Sequence, residues 1–326
     1  MKLKEKPLPL RRALTLLLVL FIAAVLAILS SDSIHGRWAH PKAILVSGNY
    51  VVVNDALRLN AFREEDFQRD ESGRMRYLAG SARTGVDVSA FQGDIDWAKV
   101  AADGVDFAFL RVGTRSFATG ELRADKKFTQ NAKNAAANGL DVGVYFFSQA
   151  VTPEEAVEEA RYVLEALEGL NVTLPIVFDW EQVEEDLDAE QVSRTKDADG
   201  AAVTACAVAF LRTVEEAGRT GMLYCNGVTG YFFYDMAQLQ DFPVWYASYS
   251  TGWPNYYYGV DFWQYSSTGR VQGIEGDVDL NLWPQTADGL LPFGESESGN
   301  AAASESGNAA MSESGNAAMV SGAETS

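Results

Sequence analysis

The sequence predicts an α/β protein whose central part, residues 84–291, folds as a flattened, irregular β/α barrel of the TIM-like kind. Short apolar runs alternate there with amphipathic helical patterns, which indicates a parallel sheet with crossover helices. Eight such runs occur within about 200 residues, enough strands to close a barrel. The helical patterns fade after Met236, so we expect one side of the barrel to be compressed.

Each predicted strand is a short apolar run bounded by turn or charged residues. In chain order the runs are GVDVSAF, FAFLRVG, DVGVYFFS, LPIVFDWE, GMLYCN, FPVWYAS, VDFWQYS and DVDLNLW. Two long helices lie between them. The first has Thr152 as N-cap, Pro153 at its first position and Glu155 completing a capping box. Gly169 ends this helix, and the second is predicted over residues 194–217.

Composition divides the remainder of the chain into three segments. Residues 1–33 contain an uncharged apolar run, 13–29, behind a basic stretch, which predicts a signal anchor or a signal peptide that directs the rest out of the cytoplasm. No clear cleavage site follows, which favours the anchor. Residues 34–83 are expected to form an extracytoplasmic stalk or a small cap. Residues 292–326 repeat SESGNAA three times and contain almost no core-forming side chains, which predicts disorder.

The composition disfavours several classes of function. A formal net charge of −19 disfavours binding to phosphate backbones, so no nucleic-acid partner is expected. The two histidines, His35 and His40, precede the predicted barrel. Local residues therefore offer no Ser-His-Asp triad, no Cys-His pair and no zinc site, and we expect no metal or organic cofactor. If the protein is a hydrolase, carboxylates are therefore the expected catalytic groups.

The two cysteines, Cys206 and Cys225, allow two interpretations. In an exported protein they could form a disulfide. Alternatively, Cys206 packs in the core, because it belongs to an apolar repeat at helical spacing within residues 203–214.

The sharpest functional signal is the run LPIVFDWE. Alternate residues of a strand point to the same face, so Asp179 and Glu181 project together, with Cα atoms about 7 Å apart. Barrel enzymes assemble their active sites at the carboxyl ends of strands. Two close carboxyls in apolar surroundings differ in pKa and supply an acid and a base, as glycoside hydrolysis requires. Alternatively, the pair merely begins a solvated acidic loop, which continues as Glu184, Glu185, Asp186 and Asp188.

Other strand ends also carry acids, which favours the catalytic interpretation. Asp87 lies in GVDVS, and Asp277 and Asp279 lie in GDVDLN. The strands between residues 245 and 265 add aromatic side chains, whose flat faces suit sugar rings although core packing accounts for some of them. These aromatics are Trp245, Tyr246, Tyr249, Trp253, Tyr256, Tyr257, Tyr258, Phe262, Trp263 and Tyr265.

The ordered series of motifs resembles glycoside hydrolase family 25, the N-acetylmuramidases or lysozymes. The segments that carry the resemblance are GVDVSAFQGDIDWAKV, FAFLRVG, YFFS, LPIVFDWE, GMLYCN, PVWYASY, FWQYSS and DVDLNLW, over roughly residues 84–285. The resemblance implies a flattened, irregular β/α barrel. It also implies hydrolysis of the β-1,4 bond between N-acetylmuramic acid and N-acetylglucosamine, with retention of configuration.

The resemblance also implies roles for individual residues. Glu181 matches the family's general acid, and Asp179 matches the second carboxylate, which stabilises positive charge or orients the substrate's N-acetyl group. Asp87 and Asp279 match flanking acids that support the site. Candidates for substrate binding, from the matching segments and the aromatic set, are Tyr145, Tyr224, Trp245, Tyr246 and Gln264.

One residue departs from the family pattern. Tyr145 begins the match to a Tyr-His-Phe motif, but Phe146 occupies the histidine position. We therefore expect a hydrogen bond next to the site to be lost or supplied differently.

The sequence thus predicts a monomeric peptidoglycan muramidase outside the cytoplasm, secreted or held at the membrane by its N-terminal helix. Its expected partners are peptidoglycan glycan strands and, through that helix, the membrane. Two alternatives stay open: a catalytically silent module that binds cell-wall glycan, and a hydrolase of chitin-like glycans.

Overall fold

The computed structural model describes residues 42–183, 192–286 and 289. The predicted membrane segment, residues 13–29, and the SESGNAA tail lie outside the described residues, as do residues 184–191 of the acidic loop. Within the described part of the chain, no helix has the length and apolar character needed to cross a membrane.

The described residues form thirteen β-strands and six α-helices. The strands are β1 (Ala43–Val46), β2 (Asn49–Val52), β3 (Phe67–Arg69), β4 (Met75–Tyr77), β5 (Ala82–Val88), β6 (Phe107–Arg115), β7 (Leu122–Ala124), β8 (Asp141–Ser148), β9 (Ile176–Trp180), β10 (Gly221–Asn226), β11 (Val244–Ala247), β12 (Phe262–Gly269) and β13 (Val278–Pro284). The helices are α1 (Trp97–Ala102), α2 (Phe128–Ala137), α3 (Pro153–Ala166), α4 (Gly200–Glu216), α5 (Thr229–Phe232) and α6 (Met236–Leu239). Short 3₁₀ helices span Glu64–Asp66 and Ala90–Gln92.

Eight strands close into a barrel, which confirms the α/β barrel predicted from the sequence. The order around the barrel is β5-β13-β12-β11-β10-β9-β8-β6, and pairing of β5 with β6 closes the ring. β7 extends the sheet antiparallel to β6. Each of the eight predicted runs overlaps one barrel strand, and the runs DVGVYFFS and GMLYCN have the same bounds as β8 and β10.

One barrel strand departs from the predicted parallel arrangement. β13 pairs antiparallel with both β12 and β5, whereas the other neighbours in the ring are parallel. Residues 270–277 connect β12 to β13 without a helix, so the chain reverses direction instead of crossing over. Asp279, near the start of β13, consequently lies directly opposite Asp87, near the end of β5.

Strand alternation separates the barrel interior from the outer core. The interior apolar cluster consists of Phe107, Phe109, Val177, Met222, Tyr224, Trp245, Ala247, Phe262 and Trp283. Two interior glycines make room for these rings. A Cβ added at Gly85 would lie 2.2 Å from the Phe107 ring, and one at Gly143 would lie 2.2 Å from the Phe109 ring. The large rings therefore fill the interior below the acidic residues.

The two long predicted helices are present, and one starts later than expected. α3 is capped by Thr152, whose hydroxyl accepts a hydrogen bond from the Glu155 backbone N–H at 3.3 Å. α4 begins at Gly200 rather than at Arg194, because the Asp199 carboxylate accepts from the Ala202 N–H at 2.8 Å and sets the N-terminus there.

Both cysteines are free thiols that are buried in the outer core. Cys206 lies on α4 and Cys225 on β10, and neither is accessible to solvent. Burial raises the pKa of the Cys206 thiol to about 12. The core-packing interpretation is therefore correct, and the disulfide is not formed.

Residues 42–77 pack against the barrel. They contain the hairpins β1–β2 and β3–β4. Arg58 forms an ion pair with the buried Asp261 at 2.5 Å, just before β12. The Phe67 ring contacts the outward-facing Trp263 ring edge-on, with centroids 5.2 Å apart. This segment therefore lies along the side of the barrel where no long helix covers β11 and β12.

Candidate active site

Four carboxyl groups interact at one end of the barrel interior. Asp179 lies two residues after the inward-facing Val177 on β9, so its side chain also faces the barrel interior. Glu181 comes directly after the strand. Asp87 and Asp279 enter from β5 and β13 as directly opposed residues. Because β13 is antiparallel, its beginning lies at the same barrel end as the carboxyl ends of the other strands. The structure thus brings together all four predicted acids.

Asp87 and Asp279 form a buried carboxyl pair. Asp87 is only 4% exposed, and its Oδ2 accepts hydrogen bonds from Gln264 Nε2 at 2.9 Å and Asn281 Nδ2 at 2.7 Å. Burial, and next the negative charge of Asp279, raise the pKa of Asp87 well above its usual range. Burial also raises the pKa of Asp279, while its hydrogen bond with Asp87 lowers that pKa. Two buried carboxyls that hydrogen-bond to each other share a proton, because one of them must be the donor.

Asp179 and Glu181 form the second pair. Burial, then the charges of Glu181 and Asp87, raise the pKa of Asp179 well above its usual range, and Arg111 opposes this shift. Asp179 Oδ1 is buried and accepts no hydrogen bond from any described residue. Burial raises the pKa of Glu181 too, partly offset by a hydrogen bond with Tyr224. A Glu181 carboxyl with a raised pKa is suited to hold a proton and donate it.

Arg111 brings a positive charge to this barrel end and lowers the pKa of Asp179; it was not among the residues predicted from the sequence. Its Nη2 lies 2.9 Å from Asp125 Oδ2, and its guanidinium stands 5.0 Å from the ring centroid of Phe91. Phe91 is 85% exposed. The signal was present in FAFLRVG, where strand alternation places Arg111 on the same face as the inward Phe107 and Phe109.

Gln264 links the buried acid Asp87 to two tyrosines of the site, Tyr224 and Tyr249. Its Oε1 accepts hydrogen bonds from the hydroxyls of Tyr224 at 3.1 Å and Tyr249 at 2.7 Å, while its amide group donates to Asp87. This network fixes the amide orientation of Gln264. Tyr249 was not among the predicted site residues, although it belongs to the aromatic stretch from 245 to 265.

Trp245 and Tyr145 form the floor of the site. Trp245 is 1% exposed, stacks on Phe109 at a centroid distance of 4.7 Å, and donates from its indole nitrogen to Asn281 Oδ1 at 2.8 Å. The Tyr145 ring meets Trp245 nearly edge-on at 6.1 Å. Burial of Trp245 means that it supports the site and leaves no open ring face for a sugar. Among the described residues, no three His, Cys, Asp or Glu side chains are arranged to hold a metal ion.

Residues 86–274 match the family model described as glycosyl hydrolases family 25. The chain belongs to this family. Lysozyme M1 of Streptomyces globisporus is 30% identical over 213 residues, which cover 64% of this chain and 69% of that protein. The uncharacterized protein YegX of Escherichia coli K12 is 30% identical over 237 residues, 68% of this chain and 77% of its own length.

Solved structures agree with the family 25 assignment. The bacterial lysozyme of Streptomyces coelicolor superposes with a TM-score of 0.50 and 26% identity, covering 64% of this chain and 94% of that one. The modular autolysin LytC of Streptococcus pneumoniae, in complex with a synthetic peptidoglycan ligand, gives a TM-score of 0.54 at 22% identity. That match covers 75% of this chain but only 52% of the autolysin, and it shows the shared fold alone.

Two residues named from the family 25 resemblance lie outside the barrel interior. Tyr246 points away from the acids, where it stacks on Tyr256 with centroids 4.8 Å apart. Phe146 is fully buried in the outer core beside Tyr162, at 5.9 Å. The structure therefore does not bring Tyr246 to the acids. Phe146 lies in the outer core beneath α3. A hydrogen bond made by a histidine at this position would therefore also lie there, outside the barrel interior.

The Asp87→Asn variant is expected to make this family 25 barrel more stable at pH 7. Because folding raises the pKa of Asp87 above its ordinary value of 3.8, the folded state binds more protons than the unfolded state at higher pH, and stability falls as pH rises. An asparagine retains the acceptor for Gln264 and Asn281 and can donate to Asp279. We expect a gain of at least about 1 kcal/mol at pH 7 and a flatter pH dependence, measured by urea unfolding from pH 4 to 8.

The matched control is Asp277→Asn, which removes a carboxylate that is 55% exposed in an ion pair with Arg270. Its unfolding free energy should stay within about 0.5 kcal/mol of the wild type at every pH. An Asp87→Asn protein with the wild-type slope between pH 4 and 8 would show that the proton is not held at Asp87.

Proposed function

We propose that the protein is a peptidoglycan muramidase, which hydrolyses the β-1,4 bond between N-acetylmuramic acid and N-acetylglucosamine. The observation that carries the proposal is the carboxyl pair Asp179 and Glu181 at the mouth of a family 25 barrel, both with raised pKa values. Lysozyme M1 and the Streptomyces coelicolor lysozyme support this substrate class for the shared domain.

In the proposed mechanism Glu181 is the general acid. It protonates the glycosidic oxygen as the bond to the anomeric carbon breaks, and it then accepts a proton from the attacking water. The more buried Asp179 stabilises the positive charge that develops on the sugar, directly or through the substrate's 2-acetamido group. The latter route gives retention of configuration.

Neighbouring polar groups set the charge states of Asp179 and Glu181. Arg111 favours the ionised form of Asp179, which needs its negative charge in the transition state. The negative charge of Asp279 raises the pKa of Glu181 and so helps it to stay protonated. Gln264 and Asn281 hold Asp87 in place beside Asp279. Each acid therefore has a distinct proposed role.

The catalytically silent module is the less favoured alternative. Loss of one acid would support it, but Asp87, Asp179, Glu181 and Asp279 are all present and mutually interacting. A chitin-like glycan would be hydrolysed by the same chemistry. The experiment below distinguishes it from peptidoglycan as the substrate.

We further propose that the enzyme acts outside the cytoplasm as a monomer, held at the membrane by residues 13–29. The apolar run behind a basic stretch supports export, and the family's cell-wall lysozymes support action at the wall. Residues 30–41 would then connect the anchor to the segment 42–77, which packs against the barrel.

The test is the release of reducing ends from purified peptidoglycan. Digested material is reduced with borohydride and analysed by mass spectrometry, and we expect muramic acid at the reduced ends. Reduced N-acetylglucosamine ends would indicate the opposite bond. Cleavage of chitin but not of peptidoglycan would select the chitin-like substrate, and binding without cleavage of either would select the silent module.

A further inference from the structure

A groove of about 450 Å³ opens between residues 44–47 and the carboxyl ends of β10 and β11. One wall is the hairpin β1–β2, and the other is formed by the ends of β10 and β11 with the loop after β11. We call it the hairpin groove. Its principal lining residues are Ile44, Val46, Tyr231, Tyr246, Ser248 and Asn255.

The hairpin is held in place by contacts with the aromatic loop after β11. Lys42 Nζ donates to the Tyr257 hydroxyl at 2.7 Å, and the Asn54 backbone N–H donates to the Tyr258 hydroxyl at 3.1 Å. The family match begins only at residue 86. One wall of the groove is therefore built from residues that precede the family domain.

The lining chemistry selects a neutral ligand with both apolar and polar faces. No lining residue is charged, although the chain has a formal net charge of −19. Ile44 and Val46 offer aliphatic contacts, while serine hydroxyls and a carboxamide offer hydrogen bonds. Asn255 Oδ1 accepts from the Tyr246 hydroxyl at 3.4 Å, which leaves its amide nitrogen to donate to a ligand. Such a mixture suits an N-acetylated sugar.

The loop after β11 lies between the groove and the acids. Ser248 and Ser250 line the groove, and between them Tyr249 donates its hydroxyl to Gln264 Oε1 at 2.7 Å. Gln264 in turn donates to Asp87. A glycan strand that crosses this loop would therefore contact both places.

We propose that the hairpin groove is a second saccharide-binding site, which takes a neutral N-acetylglucosamine unit of the same glycan strand that is cleaved at Glu181. The proposal rests on the proposed function. It assigns Tyr246 to this groove rather than to the acidic site. The uncharged lining disfavours a muramic acid unit, whose lactyl carboxylate or charged peptide stem would be desolvated there.

The test compares two charge insertions in the same hairpin of the full chain. Val46→Asp places a carboxylate against the groove, and Val52→Asp places one at a 63% exposed position of β2 that does not line the groove. A third variant, Asn255→Ala, removes a donor without changing the hairpin. With methyl-labelled protein, the Ile44 methyl signals are followed during titration with the N-acetylglucosamine trisaccharide.

We expect the Ile44 signals to shift to saturation in the wild type and in Val52→Asp. In Val46→Asp and Asn255→Ala the apparent Kd should rise by about tenfold, the loss expected for one hydrogen bond or one misplaced charge. KM for long glycan strands should rise in the same two variants, with kcat unchanged. Equal KM values in all four proteins, or an Ile44 signal that never shifts, would overturn the proposal.

The two proposals fail separately. If the wild type cleaves no peptidoglycan but the Ile44 signals titrate and respond to Val46→Asp, the groove stands and the muramidase function does not. If the wild type cleaves and Ile44 does not respond, the function stands and the groove does not.

Discussion

The Glu181→Gln variant is expected to lose kcat on peptidoglycan by at least about 100-fold, and up to about 10⁴-fold, because proton transfer to the leaving oxygen is removed. Glutamine keeps the size of the side chain and can still contact Tyr224. Burial and Asp279 raise the pKa of Glu181, so the wild-type residue retains its proton at higher pH than an exposed glutamate. The measurement is reducing-end release at pH 5 to 7 with the two proteins at equal concentration.

The pH profile adds a second readout to this prediction. A general acid must be protonated, so wild-type kcat/KM should fall as pH rises through the raised pKa of Glu181. Residual activity of Glu181→Gln should lack this alkaline limb. Replacement of Asp179 by asparagine should also lower kcat while the limb assigned to Glu181 remains.

The matched control is Glu165→Gln, which removes an equal charge from the exposed face of α3, outside the barrel interior. It should retain wild-type rates. If Glu181→Gln keeps more than a tenth of the wild-type kcat, another group donates the proton, and the proposed mechanism is wrong.

The sequence predicted the barrel and the four acids because both depend on local patterns. Alternation within LPIVFDWE determines that Asp179 shares a face with Val177, and the structure has this arrangement. The resemblance to family 25 then related Asp87 and Asp279, which are far apart in the sequence. The antiparallel direction of β13 was missed, because it depends on the absence of a helix in residues 270–277 rather than on the strand itself.

The errors concern which face of a strand a residue occupies and which residues meet across the fold. Trp245 and Tyr246 were both named as substrate-binding residues without a distinction between the two faces of the strand, yet neighbours on a strand point in opposite directions, and only Trp245 faces the interior. Alternation alone indicates that the two residues cannot belong to the same site. The hydrogen bonds of Gln264 to Asp87 and of Trp245 to Asn281 join distant positions, so the order of motifs could not reveal them.

A second large effect is expected in the outer core, where Arg115 meets a fully buried glutamate. Arg115 Nε lies 2.7 Å from Glu159 Oε1, and both side chains are almost inaccessible, at 4% and 0% exposure. Ser148 donates to the other Glu159 oxygen at 2.6 Å. Even so, burial outweighs these partners and raises the pKa of Glu159 to about 7.

This buried pair belongs to a network that reaches the proposed catalytic acid. Arg115 also donates to the Glu155 carbonyl at 3.0 Å, and the Glu155 carboxylate pairs with Arg194 at 2.5 Å. Arg194 donates to the Gln149 carbonyl, and the Gln149 amide donates to the Glu181 carbonyl at 2.7 Å. The backbone of Glu181 is therefore held by groups that depend on the ion pairs beneath α3.

Arg115→Met should lower the free energy of unfolding by about 3–5 kcal/mol at pH 8, because it leaves the Glu159 carboxylate buried without its cation. The loss should be smaller at pH 5, where Glu159, with a pKa of about 7, is protonated and carries no charge. Urea unfolding at the two pH values measures this difference. Arg123→Met on β7, whose side chain is 60% exposed, is the matched control and should change stability by less than about 0.5 kcal/mol.

A double-variant cycle separates the buried charge from simple loss of packing. Adding Glu159→Leu to Arg115→Met removes the unpaired carboxylate, so the double variant should regain part of the lost stability and lose the pH dependence. If the double variant is instead less stable than Arg115→Met by the full cost of Glu159→Leu alone, the two residues do not interact energetically. In that case Arg115 stabilises the fold through its hydrogen bonds to the Gly120 and Glu155 carbonyls rather than through its ion pair with Glu159.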